Sequence, residues 1–401
     1  MLTWLWILIV FLLIIIALCA ADYFIGKRNY QKQLKKREYP ERKGDIHLVT
    51  RGNDLFSIFF SDIRKAKSSI HVLFYIVKGD QFSKDFLLLL EQKALEGVEV
   101  RLLLDWIGSH SIPKTLVRKL RKVGVEIAFC HRPRFPFLFF TLQQRNHRKC
   151  AVIDGKIGYV GGYNVGKEYI DKDPILSPWR DYCLRFTGES VTDLQQEFLV
   201  NWLRATGKSY VEEKKYFPDL GKGPMLHRFF PTDGLYFETE VCKLIDHAKD
   251  IIYIGTPYFI PSIRILNSLT SALKRGVAIK ILVPEKADHM LVKEASFRYF
   301  RSLITDGAEI FQYLNGFYHA KVMLVDQSVC QIGTANFDRR SFFLNHELNC
   351  YIYDQDFIER MTKVVEKDIL DSHQVTIDEL LNTTFLSKIK ELGARAIADI
   401  L

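Results

Sequence analysis

The chain has 401 residues, 48% hydrophobic and 26% charged, with a formal net charge of +9. Such a composition excludes a disordered or fibrous chain, and the length suits two domains with a large core. The basic balance points to anionic partners, nucleic acid or acidic lipid, and does not choose between them.

Residues 1–21 carry no charged side chain. About 20 apolar residues in a helix cross the hydrocarbon core of a bilayer, so this segment is expected to be a transmembrane anchor. Trp4 and Trp6 lie near one end, where indole rings favour the interface. Charges then arrive together at Lys27, Arg28, Lys32, Lys35, Lys36, Arg37, Arg42 and Lys43. Residues 22–44 therefore read as a basic juxtamembrane linker, and the positive-inside rule puts everything after them in the cytoplasm. A cleaved signal peptide fits less well, because no basic segment precedes the apolar run. The seven cysteines form no Cys-x-x-Cys pair and are odd in number. This argues against a zinc site or a disulfide framework and suits a reducing compartment.

An internal repeat follows. Ile63 to Ile70 leads into the apolar run His71 to Val77, and Ile245 to Ile252 leads into Tyr253 to Ile260. Each copy continues with a helical pattern that stops at a glycine, Gly97 or Gly276, and then a strand pattern, Val98 to Leu104 or Val277 to Val283. Helix, glycine C-cap and strand in one order twice argue for two α/β domains with largely buried sheets, 45–210 and 225–401. The Gly/Lys/Pro-rich stretch from Thr206 to Pro224 separates them.

Each copy ends in His-x-Lys-x-x-x-x-Asp: His147, Lys149 and Asp154, then His319, Lys321 and Asp326. On a strand, residues i and i+2 share a face, so each histidine and its lysine are expected to project together. A histidine can act as nucleophile or acid/base near neutral pH, and a lysine can neutralise a phosphoryl oxygen. One copy makes half of a useful site. Two facing copies would supply a nucleophile, an opposing acid/base and two cations. The spacing suits no metal, since lysine is not a usual ligand.

These motifs and their extensions resemble the phospholipase D superfamily. The extensions are Gly155 to Gly166 with Asn164, Gly333 to Ser341 with Asn336 and Arg340, and Asn345-His-Glu347. Trp179-Arg-Asp181 and Thr256 to Pro261 are similar to the bacterial cardiolipin synthase branch. Asn201 and Asp233-Gly-Leu-Tyr236 depart from the branch pattern, outside the His/Lys motifs. The resemblance implies two pseudo-symmetric domains and phosphatidyl transfer between two phosphatidylglycerol molecules through a phosphohistidine. His147 would be the nucleophile and His319 the acid/base. It also implies that Lys149, Lys321, Asn164, Asn336 and Ser341 hold the substrate phosphate. Asp181 is the expected carboxylate for His147, and Glu347 for His319. Asp154 and Asp326 would brace the half-sites through hydrogen bonds. No cofactor is implied. Phosphatidylglycerol and other anionic membrane lipids are the expected partners, rather than nucleic acid. A hydrolytic phospholipase D or a nuclease is the competing chemistry on such a fold, and a non-catalytic lipid-binding protein is a further reading.

Arg132 to Phe140 is very apolar and interrupted by Pro133 and Pro136. The prolines argue against a regular helix or strand. The segment is expected to touch the bilayer or an acyl chain near the active-site mouth, with Arg132 and Arg134 meeting phosphates. A buried inter-domain loop is the alternative.

Overall fold

The computed structural model describes residues 2–288, 292–382, 390, 391, 393 and 394. Seven strands come from the first half: β1 (Arg42–Arg51), β2 (Ser69–Phe74), β3 (Glu99–Asp105), β4 (Glu126–Cys130), β5 (Cys150–Ile153), β6 (Ile157–Gly161) and β7 (Trp179–Gly188). The second half supplies β8 (Met225–Asp233), β9 (Ile251–Gly255), β10 (Phe259–Ile260), β11 (Ala278–Pro284), β12 (Glu309–Tyr313), β13 (Phe317–Tyr318), β14 (Val322–Val325), β15 (Val329–Gly333), β16 (Phe337–Asp338), β17 (His346–Ile352) and β18 (Ser372–Gln374). The helices are α1 (Leu2–Gln33), α2 (Gly52–Lys65), α3 (Gln81–Leu95), α4 (Lys114–Lys122), α5 (Leu138–Gln143), α6 (Val191–Thr206), α7 (Phe237–His247), α8 (Ile263–Lys274), α9 (Val292–Thr305), α10 (Arg339–Phe343), α11 (Gln355–Leu370) and α12 (Ile377–Leu381).

One sheet runs through both halves in the order β18-β12-β11-β9-β14-β15-β17-β8-β1-β7-β6-β5-β2-β3-β4, with β13 attached to β7. Read outward from the β8–β1 seam, the halves repeat each other for seven strands, and the second half adds β18 at its edge. β2, β3 and β4 are parallel, as are β9, β11 and β12, while the strands between them and the seam are antiparallel. Parallel strands need covering on both faces, and β2 is buried along its whole length. Helices α2 to α4 cover one face of the first half, and α7 to α9 cover the second. On the other face α6 and α11 pack Phe198, Trp202, Phe357 and Met361 into one core that both halves share.

The helix ends follow the local sequence. Asp80, Ser262 and Asp354 accept hydrogen bonds from backbone N–H groups in the first turns of α3, α8 and α11. Gly97 and Gly276 take φ of +88° and +90° after α3 and α8, a region that L side chains enter only with strain. The seven cysteines are all free thiols.

Two expectations change here. The apolar segment is not a separate helix but the first part of the 32-residue helix α1, which runs on into the basic stretch. At 1.5 Å per residue that is about 48 Å, longer than the roughly 30 Å hydrocarbon core. Its C-terminal third lies against the α/β body, where Gly26 lets α1 approach Phe137 and Phe140 too closely for any side chain. The remaining basic residues are not a free linker: Arg37 pairs with Glu197 and Asp233, and Arg42 with Asp193. The proline-broken segment, in turn, does form a short helix, α5, which starts after Pro136. Phe140 is buried against α1, its N–H donates to Asp22 at 2.9 Å, and Phe135 remains 81% exposed.

Candidate active site

The motif histidines precede the regular strands. His147 and Lys149 lie in an extended lead-in to β5, and His319 and Lys321 in the equivalent lead-in to β14. Each lead-in is fastened to the opposite half. The His147 N–H donates to the His346 carbonyl at 2.9 Å, and the His319 N–H donates to the Arg180 carbonyl at 2.7 Å. Asn146 forms a bridge with His346, and β13 runs parallel to β7 at Trp179 and Arg180.

This docking decides which carboxylate each histidine meets. His147 Nδ1 lies 3.0 Å from both oxygens of Glu347. His319 Nδ1 lies 2.6 Å from Asp181 Oδ2. The expected pairing is thus reversed: Asp181 serves His319 and Glu347 serves His147. The reason is topological. Each carboxylate follows its own motif in sequence, but the start of β7 lies beside the second lead-in and the start of β17 beside the first.

The two carboxylates are held differently. Glu347 accepts from Thr334 Oγ1 at 2.5 Å and from Ser341 Oγ at 2.9 Å. Ser341, expected to meet substrate, is fully buried and instead holds Glu347. Position 334 corresponds to Gly162 in the first half, where a Cβ would come within 2.2 Å of Asp181 Oδ1. Asp181 therefore lacks an equivalent hydroxyl and accepts from the Tyr182 N–H at 2.7 Å. Burial pushes Asp181 up to about 6, although nearby Lys321 opposes this. Burial acts on Glu347 in the same sense, but its contact with His147 and its Thr334 hydrogen bond outweigh it and hold Glu347 below the usual range.

Burial also pushes His147 down to about 4, against the pull of Glu347. His319 is held well below its ordinary value by burial and by Lys321. Burial thus disfavours the charged form of both imidazoles, each of which has Nδ1 facing a carboxylate. The ammonium of Lys149 donates to the His147 carbonyl at 2.6 Å, and that of Lys321 contacts the His319 carbonyl and lies 2.7 Å from His319 Nδ1. Burial lowers Lys149 strongly and brings Lys321 to about 8.

Both histidines open onto one cleft of about 540 Å³, which Asn164 and Asn336 also line. Asn164 accepts from the Ile76 N–H and donates to the Tyr169 hydroxyl, both at 3.1 Å. Asn336 donates to Asp338 at 3.0 Å, and its own buried Oδ1 has no hydrogen-bond partner among the described residues. Asp154 and Asp326 are elsewhere. They sit past the far ends of β5 and β14 and accept from backbone N–H groups of residues 67–69 and 249–251. They tie the start of β2 to β5 and of β9 to β14, and do not line the cleft.

The cleft wall also holds Arg145, Tyr258 and Asp288, which the motif reading did not single out, and Arg340, which it named without a role. Arg145 is bonded to Asp105 and to the Thr141 carbonyl, and Arg340 to the Gln143 carbonyl, so both are set by the end of α5. Tyr258 donates to Asp288 at 2.6 Å. Arg145 stands two residues before His147 and Arg340 inside the second motif's extension, so proximity to the motifs was a usable signal. Nothing in the sequence marks Asp288. Among the described residues, Asp105, Cys130 and His131 bring metal-ligand atoms within 4.8 Å of one another. Asp105 is already occupied by Arg145 and the amides of Ile107, Gly108 and Asn146, so this group does not fit a metal centre.

Comparison with known proteins agrees with this geometry. The family described as "Cardiolipin synthase, PLD-like domain" matches residues 59–175 and 241–369, one segment in each half. The minor cardiolipin synthase ClsB of Bacillus subtilis strain 168 is 40% identical over 395 residues, covering 98% of this chain and 99% of that one. The major cardiolipin synthase ClsA of the same organism is 38% identical and covers 89% of this chain and 75% of its own. Among solved structures, the phosphatidylserine synthase of Haemophilus influenzae Rd KW20 superposes with a TM-score of 0.70 over 94% of this chain and all of that one. At 15% identity that likeness concerns the fold. Two motif-bearing halves around one cleft, with relatives alike over almost the whole length, place the chain among the cardiolipin synthases with phospholipase D-like domains.

Proposed function

We propose that the enzyme joins two phosphatidylglycerol molecules into cardiolipin with release of glycerol, through a phosphatidyl-histidine. The observation that carries this reading is the pair of histidines on one cleft, each backed by a carboxylate of the other half. In the first step His147 Nε2 attacks the phosphorus, the N–P bond forms, and the P–O bond to glycerol breaks. His319, protonated once the anionic substrate is bound, gives its proton to the departing glycerol oxygen. In the second step neutral His319 takes the proton of a headgroup hydroxyl on the second lipid. That oxygen attacks phosphorus and the N–P bond breaks. Splitting one displacement into two lowers each barrier.

The assignment of His147 as nucleophile draws support from its ionised partner. Glu347, held below the usual range, can offset the positive charge that an attacking imidazole acquires. Lys149, Lys321, Asn164 and Asn336 would take the non-bridging oxygens, the lysines turning from the histidine carbonyls. Preorganised donors of this kind act strongly where water is excluded. The divide between the two domains falls in the connector from α6 to β8. The apolar part of α1 would span the bilayer once, and its basic flank would keep both halves in the cytoplasm.

The test is to incubate the full-length protein with vesicles of phosphatidylglycerol alone and identify the products by mass spectrometry. Cardiolipin and free glycerol are expected, and neither should form with His147→Ala or His319→Ala. Phosphatidic acid in place of cardiolipin would make the enzyme a hydrolase.

A further inference from the structure

A second cavity, of about 500 Å³, lies where α1 meets the second half, outside the catalytic cleft. Ile16 and Ala20 of α1 face Phe139 of α5 and Phe343 of α10 across it, and Lys27 and Arg339 stand at the rim. The lining is sorted along the helix. Ile16 belongs to the uncharged stretch, and Lys27 lies 11 residues further on, about 17 Å along the axis. Lys27 Nζ sits 5.4 Å from the centre of the Phe343 ring, which fixes the cationic end against α10. Arg340, the next residue after Arg339, reaches the opposite way and lines the catalytic cleft. The first turn of α10 therefore separates the cationic end of the groove from the reacting histidines.

We propose that this groove binds one acyl chain and the phosphate of an anionic glycerophospholipid and feeds its headgroup into the cleft. The inference rests on the phosphatidyl-transfer reading above. Three features favour a lipid over another occupant. The apolar end belongs to the segment long enough to cross the bilayer, so lipid is the molecule at hand there. The groove is apolar at that end and cationic at the other, in the order of a phospholipid's chain and phosphate. It also ends beside the site where a phosphodiester must react. On this account α1 is part of the substrate site and not only a tether, and the close packing at Gly26 holds one wall of the groove against α5.

The test uses the full-length protein in nanodiscs of phosphatidylglycerol with a trace of the same lipid carrying a mid-chain diazirine. After irradiation, peptides are mapped by mass spectrometry. Turnover is measured in parallel with long-chain phosphatidylglycerol and with water-soluble dihexanoyl phosphatidylglycerol. Label is expected on the peptides holding Ala20, Phe139 and Phe343. Ala20→Phe, which fills the groove while keeping α1 apolar, should lose that label. It should also lower the ratio of long-chain to short-chain kcat/KM by about 10-fold, since only the long-chain lipid uses the groove. Leu18→Phe, exposed on α1 and outside the groove, should match wild type in both. An unchanged label and ratio in Ala20→Phe would overturn the proposal, as would wild-type protein in which the peptides holding Ala20, Phe139 and Phe343 carry no lipid label. Label in the groove without turnover of either substrate would leave lipid binding standing and refute the transfer reading instead.

Discussion

Glu347 lies 3.0 Å from His147 although 200 residues separate them in the chain, and Asp181 makes the matching contact with His319. The two halves exchange carboxylates, so each half-site is completed by the other half. Replacing either carboxylate by its amide should remove the group that fixes the imidazole tautomer. Glu347→Gln and Asp181→Asn are each expected to lower kcat/KM by about 10²- to 10⁴-fold with the thermal midpoint little changed. The wild-type-like activity of either variant would show that the crossed contact is structural only.

The roles of the two histidines can be separated with a substrate whose leaving group needs no acid. With a p-nitrophenyl phosphodiester of a lipid, His319→Ala should still release nitrophenol once and then stall as a covalent adduct on His147. His147→Ala should give no adduct. Intact-mass measurement reads this directly, and an adduct on the opposite histidine would reverse the assignment.

Gly162 makes room for Asp181, because a Cβ there would lie 2.2 Å from the carboxylate. Gly162→Ala is expected to displace Asp181 from His319 and cut activity by at least about tenfold. Gly221→Ala, where an added Cβ meets nothing within 4 Å, should retain wild-type turnover. Equal activity of the two variants would contradict the packing described.

Asp154 holds the amides of residues 67–69 and lies outside the cleft. Asp154→Ala strands those donors and should cost about 1–3 kcal/mol of stability. Denaturant titration against specific activity separates this from catalysis: the folded fraction should fall, and the activity per folded molecule should fall far less than in the histidine variants.

Acid should destabilise the fold from near pH 6.5 downward. Burial lowers His71 and His131 to about 3 and His147 to about 4, from an ordinary 6.5. Between those values the unfolded chain takes up protons that the folded one refuses, so the stability present above pH 6.5 is lost as pH falls. Asp181 and Asp338, raised to about 6 by burial, act in the opposite sense between about 6 and their ordinary 3.8. The histidines are more numerous and begin to act first. The thermal midpoint should drop from pH 7.5 to pH 5, and less so in His71→Gln, which lies outside the site. A flat profile in the wild type would refute the sign.

Much of this was legible in the sequence because it is local. Gly97 and Gly276 mark helix ends by their backbone demands, and the strands after them are apolar because helices cover both faces. The histidines stood out because the motif occurs twice at equivalent places. The crossing of Asp181 and Glu347 was not legible, since it depends on which strand edge each lead-in finds after folding. Ser341 was misplaced for a similar reason: only the folded site shows its hydroxyl turned to Glu347. The extension of α1 to Gln33 was not legible from the charges that begin at Asp22, which close an apolar run. They do not end a helix, and no proline intervenes before Pro40.

The exchange of carboxylates also has a consequence for biosynthesis. During translation α1 is made before either half of the α/β body. His147 is then present without Glu347, which is synthesised 200 residues later. The first half-site is therefore chemically incomplete until β17 has left the ribosome and joined the sheet. The first half alone holds His147 and Asp181 but neither of their partners, so it carries no completed histidine–carboxylate pair.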